Sequence, residues 1–287
     1  MNTLTGHGPS KVQLFARKTF PETEADRCEK EVQKLRVLSK IGRDSGLFGV
    51  PEIYRVEKHY YEMEYIEGAV QLNECGFMYK TGILTKKIQA ILAAIGSHGE
   101  RVGSVWPVML DKFKQLKVSD HEYDELVNGL PCEMDFGANS IGYSHGDLTF
   151  DNILVANGGE NWYLIDPAWS QVESPLWDIG KLMQTVLIGW NQIKNTGKLG
   201  YKDGWITAMC YSGSYHAGDM LLGNFVERYG YDAVVLSTAC QLARVARWCY
   251  REVLMPVIKE LLARYYSPCN IEIKKRDLVS IVERMLV

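Results

Sequence analysis

The chain has no long apolar run. Nothing in it approaches the roughly 20 consecutive apolar residues that a bilayer-spanning helix needs. The first ten residues are polar and glycine-containing, so they do not read as a secretory leader. No pair of cysteines has C-x-x-C spacing, and the seven cysteines are odd in number, which argues against both a disulfide framework and a cysteine zinc site. Reduced thiols are the simplest account, so the expected compartment is the cytoplasm. There is no block of one charge, and the formal net charge is only −3. That gives no electrostatic case for nucleic acid or an anionic membrane as partner. Repeats and low-complexity tracts are also missing.

What is present suffices for a folded core. The 287 residues are 46% hydrophobic and 23% charged, enough for one large domain or two lobes around a cleft. Lys11 to Phe20 alternates as a strand does, Pro21 breaks it, and Thr23 is a candidate helix cap. Glu24 to Ile41 repeats apolar residues at helical spacing, and Gly42 to Val50 reads as a loop. Pro51 to Val56 and Tyr60 to Ile66 read as strands. Beyond Gly68 the long segments look helical, including Thr85 to Ile95, Leu176 to Gly189 and Leu236 to Tyr266. The exception is a hairpin from Ile153 to Asp166, turning at Asn157-Gly158-Gly159. The pattern predicts an α+β protein with a small strand-rich lobe over residues 1–68 and a larger helical lobe over 69–287.

The residues that carry chemistry stand together. Ser144-His145-Gly146-Asp147-Leu148-Thr149-Phe150-Asp151-Asn152-Ile153-Leu154 places Asp147 five residues before Asn152, and Asp166 follows fourteen residues later in Ile165-Asp166-Pro167. Phosphoryl transfer asks a protein mainly for positioning and charge neutralisation. Asp147 could accept the proton of an attacking hydroxyl. Asn152 and Asp166 could hold Mg²⁺ against the phosphates of ATP, since magnesium takes few carboxylates plus phosphate and water. Asp and Asn are also common turn residues, but the combined spacing is far more specific than any one of them.

These motifs resemble the aminoglycoside phosphotransferase and choline kinase-like family, which has the protein-kinase-like fold. The likeness is strong in the catalytic loop and weaker over roughly residues 11 to 190. It implies Asp147 as catalytic base and Asn152 and Asp166 as magnesium ligands. It also implies Lys18 as the strand lysine on the phosphates, Glu31 as the helix glutamate that pairs with it, and the backbone of Glu64 and Ile66 as the adenine hinge. Arg17 is the rival of Lys18, although Ala16 and Lys18 share one strand face. Asp178 matches a residue that braces the catalytic loop, and His145 is expected to orient that loop rather than bind metal.

Two lengths depart from kinases that act on proteins. Only 11 residues separate Asp166 from Asp178, which leaves no long activation segment and favours a small-molecule hydroxyl acceptor. Only 17 residues precede Lys18, and Gly6 to Ser10 reads as a turn into the lysine strand. The first strand and phosphate loop are therefore expected to be abbreviated, or the natural chain to start further upstream. This motivates a rival reading, a pseudokinase-type scaffold without transfer. GTP in place of ATP also stays open.

Arg244, Arg247 and Arg251 fall at spacings of three and four and are expected on one helical face, as acceptor contacts or as a solvated surface. H-G-D-L-T, M-E-Y-I-E-G and W-D-I-G-K-L look most like bacterial members linked to sugar or surface-polysaccharide metabolism. The acceptor is thus expected to be of sugar or amino-alcohol type.

Overall fold

A computed structural model describes residues 14–75, 83–99, 103–188, 190, 193–194, 201–202, 205–206 and 214–266. The chain opens with β1 (Phe15–Thr19), in which Ala16 and Lys18 face inward and Phe15, Arg17 and Thr19 face solvent. Pro21 ends it. A 3₁₀ turn at Glu22–Glu24 follows, so Thr23 lies inside that turn and is not the helix cap. The helix α1 (Ala25–Ser45) has Glu24 as its cap residue, without a side-chain cap bond. It runs through Gly42 and stops at Gly46, whose left-handed φ of 65° lets its N–H reach the Gly42 carbonyl. The loop is therefore shorter than the sequence suggests.

The strands β2 (Ile53–Glu57) and β3 (Tyr60–Glu64) complete an antiparallel sheet of order β1-β3-β2. Its register places Lys18 opposite Tyr61. Phe20, Cys28, Val32, Leu35 and Tyr61 form a small core between this sheet and α1. The glycine-bearing turn expected at Gly6 to Ser10, and the question of a phosphate loop, lie outside the described residues.

A second sheet joins β4 (Val70–Gln71) to the hairpin of β5 (Ile153–Ala156) and β6 (Asn161–Leu164). The hairpin turns at Asn157 to Gly159, with Asn157 and Gly158 both at positive φ. The helices α2 (Ile83–Gly96), α3 (Trp106–Gln115), α4 (His121–Asn128) and α5 (Pro175–Ile188) come next. A short pair, β7 (Tyr201–Lys202) and β8 (Trp205–Ile206), precedes α6 (Ser214–Tyr229), α7 (Tyr231–Ala246) and α8 (Arg251–Tyr266).

The main core spans these helices and the hairpin, and it includes Leu38 and Ile41 from α1. The two sheets are therefore tied through one helix. α7 is buried along most of its length, and it crosses α5 closely at Gly180. A Cβ there would lie 2.5 Å from the Ser237 carbonyl oxygen. Among the described residues no helix is long and apolar enough to cross a membrane.

Leu236 to Tyr266 reads as one helix in the sequence, but it is two. The chain breaks over Arg247 to Tyr250, where Tyr250 takes a φ of 55°.

Candidate active site

The loop from Ser144 to Asn152 is held by its backbone. The carboxylate of Asp178, in the first turn of α5, accepts the N–H groups of His145 and Gly146, each at 2.7 Å. Asp178 is fully buried. Burial pushes its carboxyl up to about 7, against the pull of the His145 and Gly146 N–H groups and of Lys34. The His145 carbonyl accepts the Ala168 N–H at 3.0 Å, which ties the loop to the chain just past Asp166. Gly146 is required here. Its φ is 84°, and an added Cβ would lie 2.2 Å from the Ala168 carbonyl oxygen.

His145 is also fully buried, and among the described residues neither ring nitrogen meets a partner in hydrogen-bond geometry, although the Ile165 and Asp147 backbones lie near. Burial, with Lys34 nearby, lowers its imidazolium to about 3, so the ring is neutral near pH 7.

Asp147 and Asn152 meet directly. The Asn152 Nδ2 donates to the Asp147 carbonyl at 2.7 Å and to Asp147 Oδ2 at 3.1 Å. That fixes the amide orientation and leaves Oδ1 as its acceptor end. The Asn152 carbonyl accepts the Ile165 N–H at 3.1 Å, so the loop lies alongside the residue before Asp166. Asp166 takes a positive φ of 54° just past β6. Its Oδ1 accepts from Lys18 Nζ at 3.1 Å, and the same ammonium donates to Glu31 Oε1 at 2.6 Å. Glu31 is buried and also accepts from the Tyr61 hydroxyl at 2.6 Å. Arg17 points the other way, onto Glu62.

Asp147 and Asn152 are thus in direct contact, and Asp166 is brought to them by the backbone bond between its neighbour Ile165 and Asn152. Among the described residues no cluster of three or more His, Cys, Asp or Glu side chains is disposed to hold a metal. The Asn152 Oδ1 and the Asp166 carboxylate are hard oxygen donors, the chemistry magnesium prefers when phosphate and water fill its other positions.

Sequence reasoning missed three residues of this site. Lys181 Nζ donates to Asp147 Oδ1 at 2.9 Å from a nearly buried position on α5. Burial opposes ionisation of Asp147, but the surrounding groups together, Lys181 first and Arg244 among the rest, hold the carboxyl below its ordinary value of 3.8. Lys181 lies three residues after Asp178, one helical turn on, and that spacing was the available signal. Lys34 likewise follows Glu31 by three on α1. It is buried, and it donates to the Ala168 carbonyl at 2.7 Å and to both oxygens of Glu173, at 2.9 and 3.1 Å. Glu173 in turn accepts from the Ser144 N–H at 3.1 Å and its hydroxyl at 2.5 Å. Glu173 stands in a loop without periodicity, so no sequence pattern marked it.

At the hinge, the Glu64 N–H donates to the Glu52 carbonyl at 2.8 Å, and the Ile66 carbonyl accepts the Ala69 N–H at 3.3 Å. The three arginines do not share a helical face. Arg244 is on α7 and Arg247 caps its end, whereas Arg251 begins α8 after the break at Tyr250. Arg251 reaches back to the Ala246 carbonyl, at 3.4 Å. Arg244 and Arg247 line a cleft that Lys181 also lines, and Arg251 is not part of its wall.

The arrangement is a protein-kinase-like fold, with small antiparallel sheets and a mostly helical remainder. Solved structures of small-molecule phosphotransferases share it. The choline kinase LicA from Streptococcus pneumoniae is 18% identical, with 98% of this chain and 92% of that one covered at a TM-score of 0.51. A choline/ethanolamine kinase family protein from Mesorhizobium loti is 14% identical, with 94% and 87% covered at 0.51. The ADP-bound aminoglycoside phosphotransferase APH(2'')-Ib is 12% identical, with 95% and 88% covered at 0.52. Identities this low establish the fold alone. No protein-family profile and no curated protein sequence matches the chain.

Proposed function

We propose that the protein is an ATP- and Mg²⁺-dependent small-molecule kinase, which transfers the γ-phosphoryl group to a hydroxyl of a sugar or amino-alcohol type acceptor. The observation that carries this reading is the continuous set Glu31–Lys18–Asp166 beside Asp147–Asn152. Asp147 is held ionised by the groups around it, Lys181 first, and accepts the proton of the attacking hydroxyl. Lys18, oriented by Glu31, grips the α- and β-phosphates. Asn152 Oδ1 and Asp166 hold magnesium, which would neutralise charge on the phosphates. The Glu64 carbonyl and the Ile66 N–H read the adenine edge, since Glu64 N–H and Ile66 carbonyl are used within the protein. Residues 1–68 carry the nucleotide, and 69–287 supply the catalytic loop and the acceptor site.

The test is an ATP-consumption screen over sugars, amino alcohols and aminoglycosides. Asp147→Ala should lower turnover by about 10²- to 10⁴-fold. The thermal shift produced by ATP–Mg²⁺ should remain, because the variant still binds nucleotide. Undiminished turnover in that variant would sink the assignment.

A further inference from the structure

A cleft of about 390 Å³ opens between α3, α5 and the end of α7, and its wall includes Lys181, the ion-pair partner of Asp147. Among the described residues its charged lining is cationic: Lys112, Lys181, Arg244 and Arg247. We infer that this cleft is the acceptor subsite, and that the acceptor carries an anionic group, a phosphate monoester or a carboxylate, beside its reactive hydroxyl. This rests on the kinase reading and narrows it.

The pairing of the four cations is the first argument. Among the described residues only Lys181 has a carboxylate within ion-pair distance, and that carboxylate is Asp147. Arg244 donates to the Gln241 Oε1 at 2.7 Å, and Arg247 to the Gln115 Oε1 at 2.9 Å. A neutral amide oxygen orients a guanidinium without cancelling its charge. The Gln115 amide nitrogen is itself tied to Asp111 at 2.5 Å, so the nearest bonded carboxylate lies one residue removed from the arginine. Arg244 acts on Asp147 only from beyond ion-pair distance, so Lys112, Arg244 and Arg247, with no carboxylate in direct contact among the described residues, disfavour a quaternary ammonium or a polyamine and attract an anion. Guanidinium forks also suit phosphate and carboxylate geometry.

Position is the second argument. Lys181 both lines the cleft and touches Asp147. An acceptor whose anion sits among Arg244, Arg247 and Lys112 can extend toward Lys181, one ion pair away from the candidate base. The walls include Trp190, which meets Tyr250 edge-on at 5.8 Å, and Trp248, which lies 5.0 Å under the Arg247 guanidinium and is 77% exposed. An exposed indole next to a cation, as at Trp248, suits a sugar ring bearing an acid group.

The experiment titrates the full chain, with ADP–Mg²⁺ present, against glucose 6-phosphate, glucuronate, glucose and choline. Binding is read by calorimetry and by thermal midpoint. At least one of the two anions should bind at least tenfold tighter than glucose or choline. Arg244→Gln and Arg247→Gln should each weaken that binding about tenfold, with Arg247 on the surface as the safer variant for folding. Glucose 6-phosphate alone would identify a phosphate site, and glucuronate alone a carboxylate site. Choline or glucose binding as well as both anions would overturn the inference. So would binding of neither anion, or anion binding unchanged in both variants. The response of the wild-type chain to ATP–Mg²⁺ alone is measured separately, and its absence beside intact anion binding would count against the kinase reading instead.

Discussion

Asp178→Asn is the sharpest perturbation of this structure, because it keeps volume and changes only what the carboxylate accepts. Each oxygen of Asp178 takes one buried backbone N–H at 2.7 Å. In the amide variant one oxygen still accepts, while the NH₂ faces the other N–H donor. A buried donor left without a partner costs about 1–3 kcal/mol, and this holds for the protonated acid as well, since its hydroxyl oxygen can still accept where an NH₂ cannot. That is a large share of the about 5–15 kcal/mol that holds a typical protein folded. In a chain of this size it is a fall in Tm of roughly 2–12 °C. The pH dependence adds a second readout. Burial raises the folded-state value to about 7 from an ordinary 3.8, so the native state keeps a proton that the unfolded chain releases in between. That contribution is fully present below the ordinary value and is lost as pH rises through about 7. The stability gap between wild type and Asp178→Asn should therefore shrink from pH 5 to pH 8. Urea denaturation across that range measures it. A gap under about 0.5 kcal/mol at pH 5, or one that widens with pH, would refute the bracing role.

Gly146→Ala should be at least as damaging to function, since it demands φ 84° of an L-residue and places a Cβ 2.2 Å from the Ala168 oxygen. The loop must shift, so under the proposed function ATP turnover should fall by at least about tenfold, as near-attack geometry is lost. Wild-type turnover would show that the loop tolerates displacement. Lys34→Met removes a buried ammonium from the Ala168 carbonyl and from Glu173. The full cost of breaking a buried pair is about 3–5 kcal/mol. Glu173 is 26% exposed and keeps Ser144, so about 2–3 kcal/mol is expected by thermal melting. A change below about 0.5 kcal/mol would mean that water already shares this lysine.

Much of this was legible because local rules agreed. Alternation and Pro21 marked β1, and Asn157-Gly158-Gly159 supplied the positive φ that the β5–β6 turn needs. The spacing of Asp147 and Asn152 pointed to a local contact, and the two side chains do meet within one short segment. The break between α7 and α8 was not, because Arg247-Trp248-Cys249-Tyr250 contains neither Gly nor Pro. The left-handed Tyr250 goes with tertiary contacts: its ring meets Trp190, and its hydroxyl donates to the Lys194 carbonyl at 3.2 Å. That break separated Arg251 from Arg244 and Arg247. α3 and α4 are short, at 10 and 8 residues, and their boundaries depend on packing more than on propensity.

The contacts of α1 explain how so short a link after Asp166 can hold the site together. Glu31 and Lys34 lie one turn apart on α1 and reach in two directions. Glu31 meets Lys18 on β1, and Lys34 meets Ala168 and Glu173 beyond Asp166. Lys18 then touches Asp166 itself, which closes a ring from β1 through α1 to the 166–173 segment and back. Any displacement of α1 would break both arms at once, leaving a buried Glu31 with only Tyr61 and a buried Lys34 with no carboxylate. Two buried charges stripped of partners cost several kcal/mol together. With 11 residues between Asp166 and Asp178 there is little chain to dock against α1 from outside. Buried lysine and glutamate contacts hold it from within, and Glu173 carries the same tie to Ser144 at the head of the catalytic loop. The helix position and the loop position are thus one variable, set by side chains three residues apart.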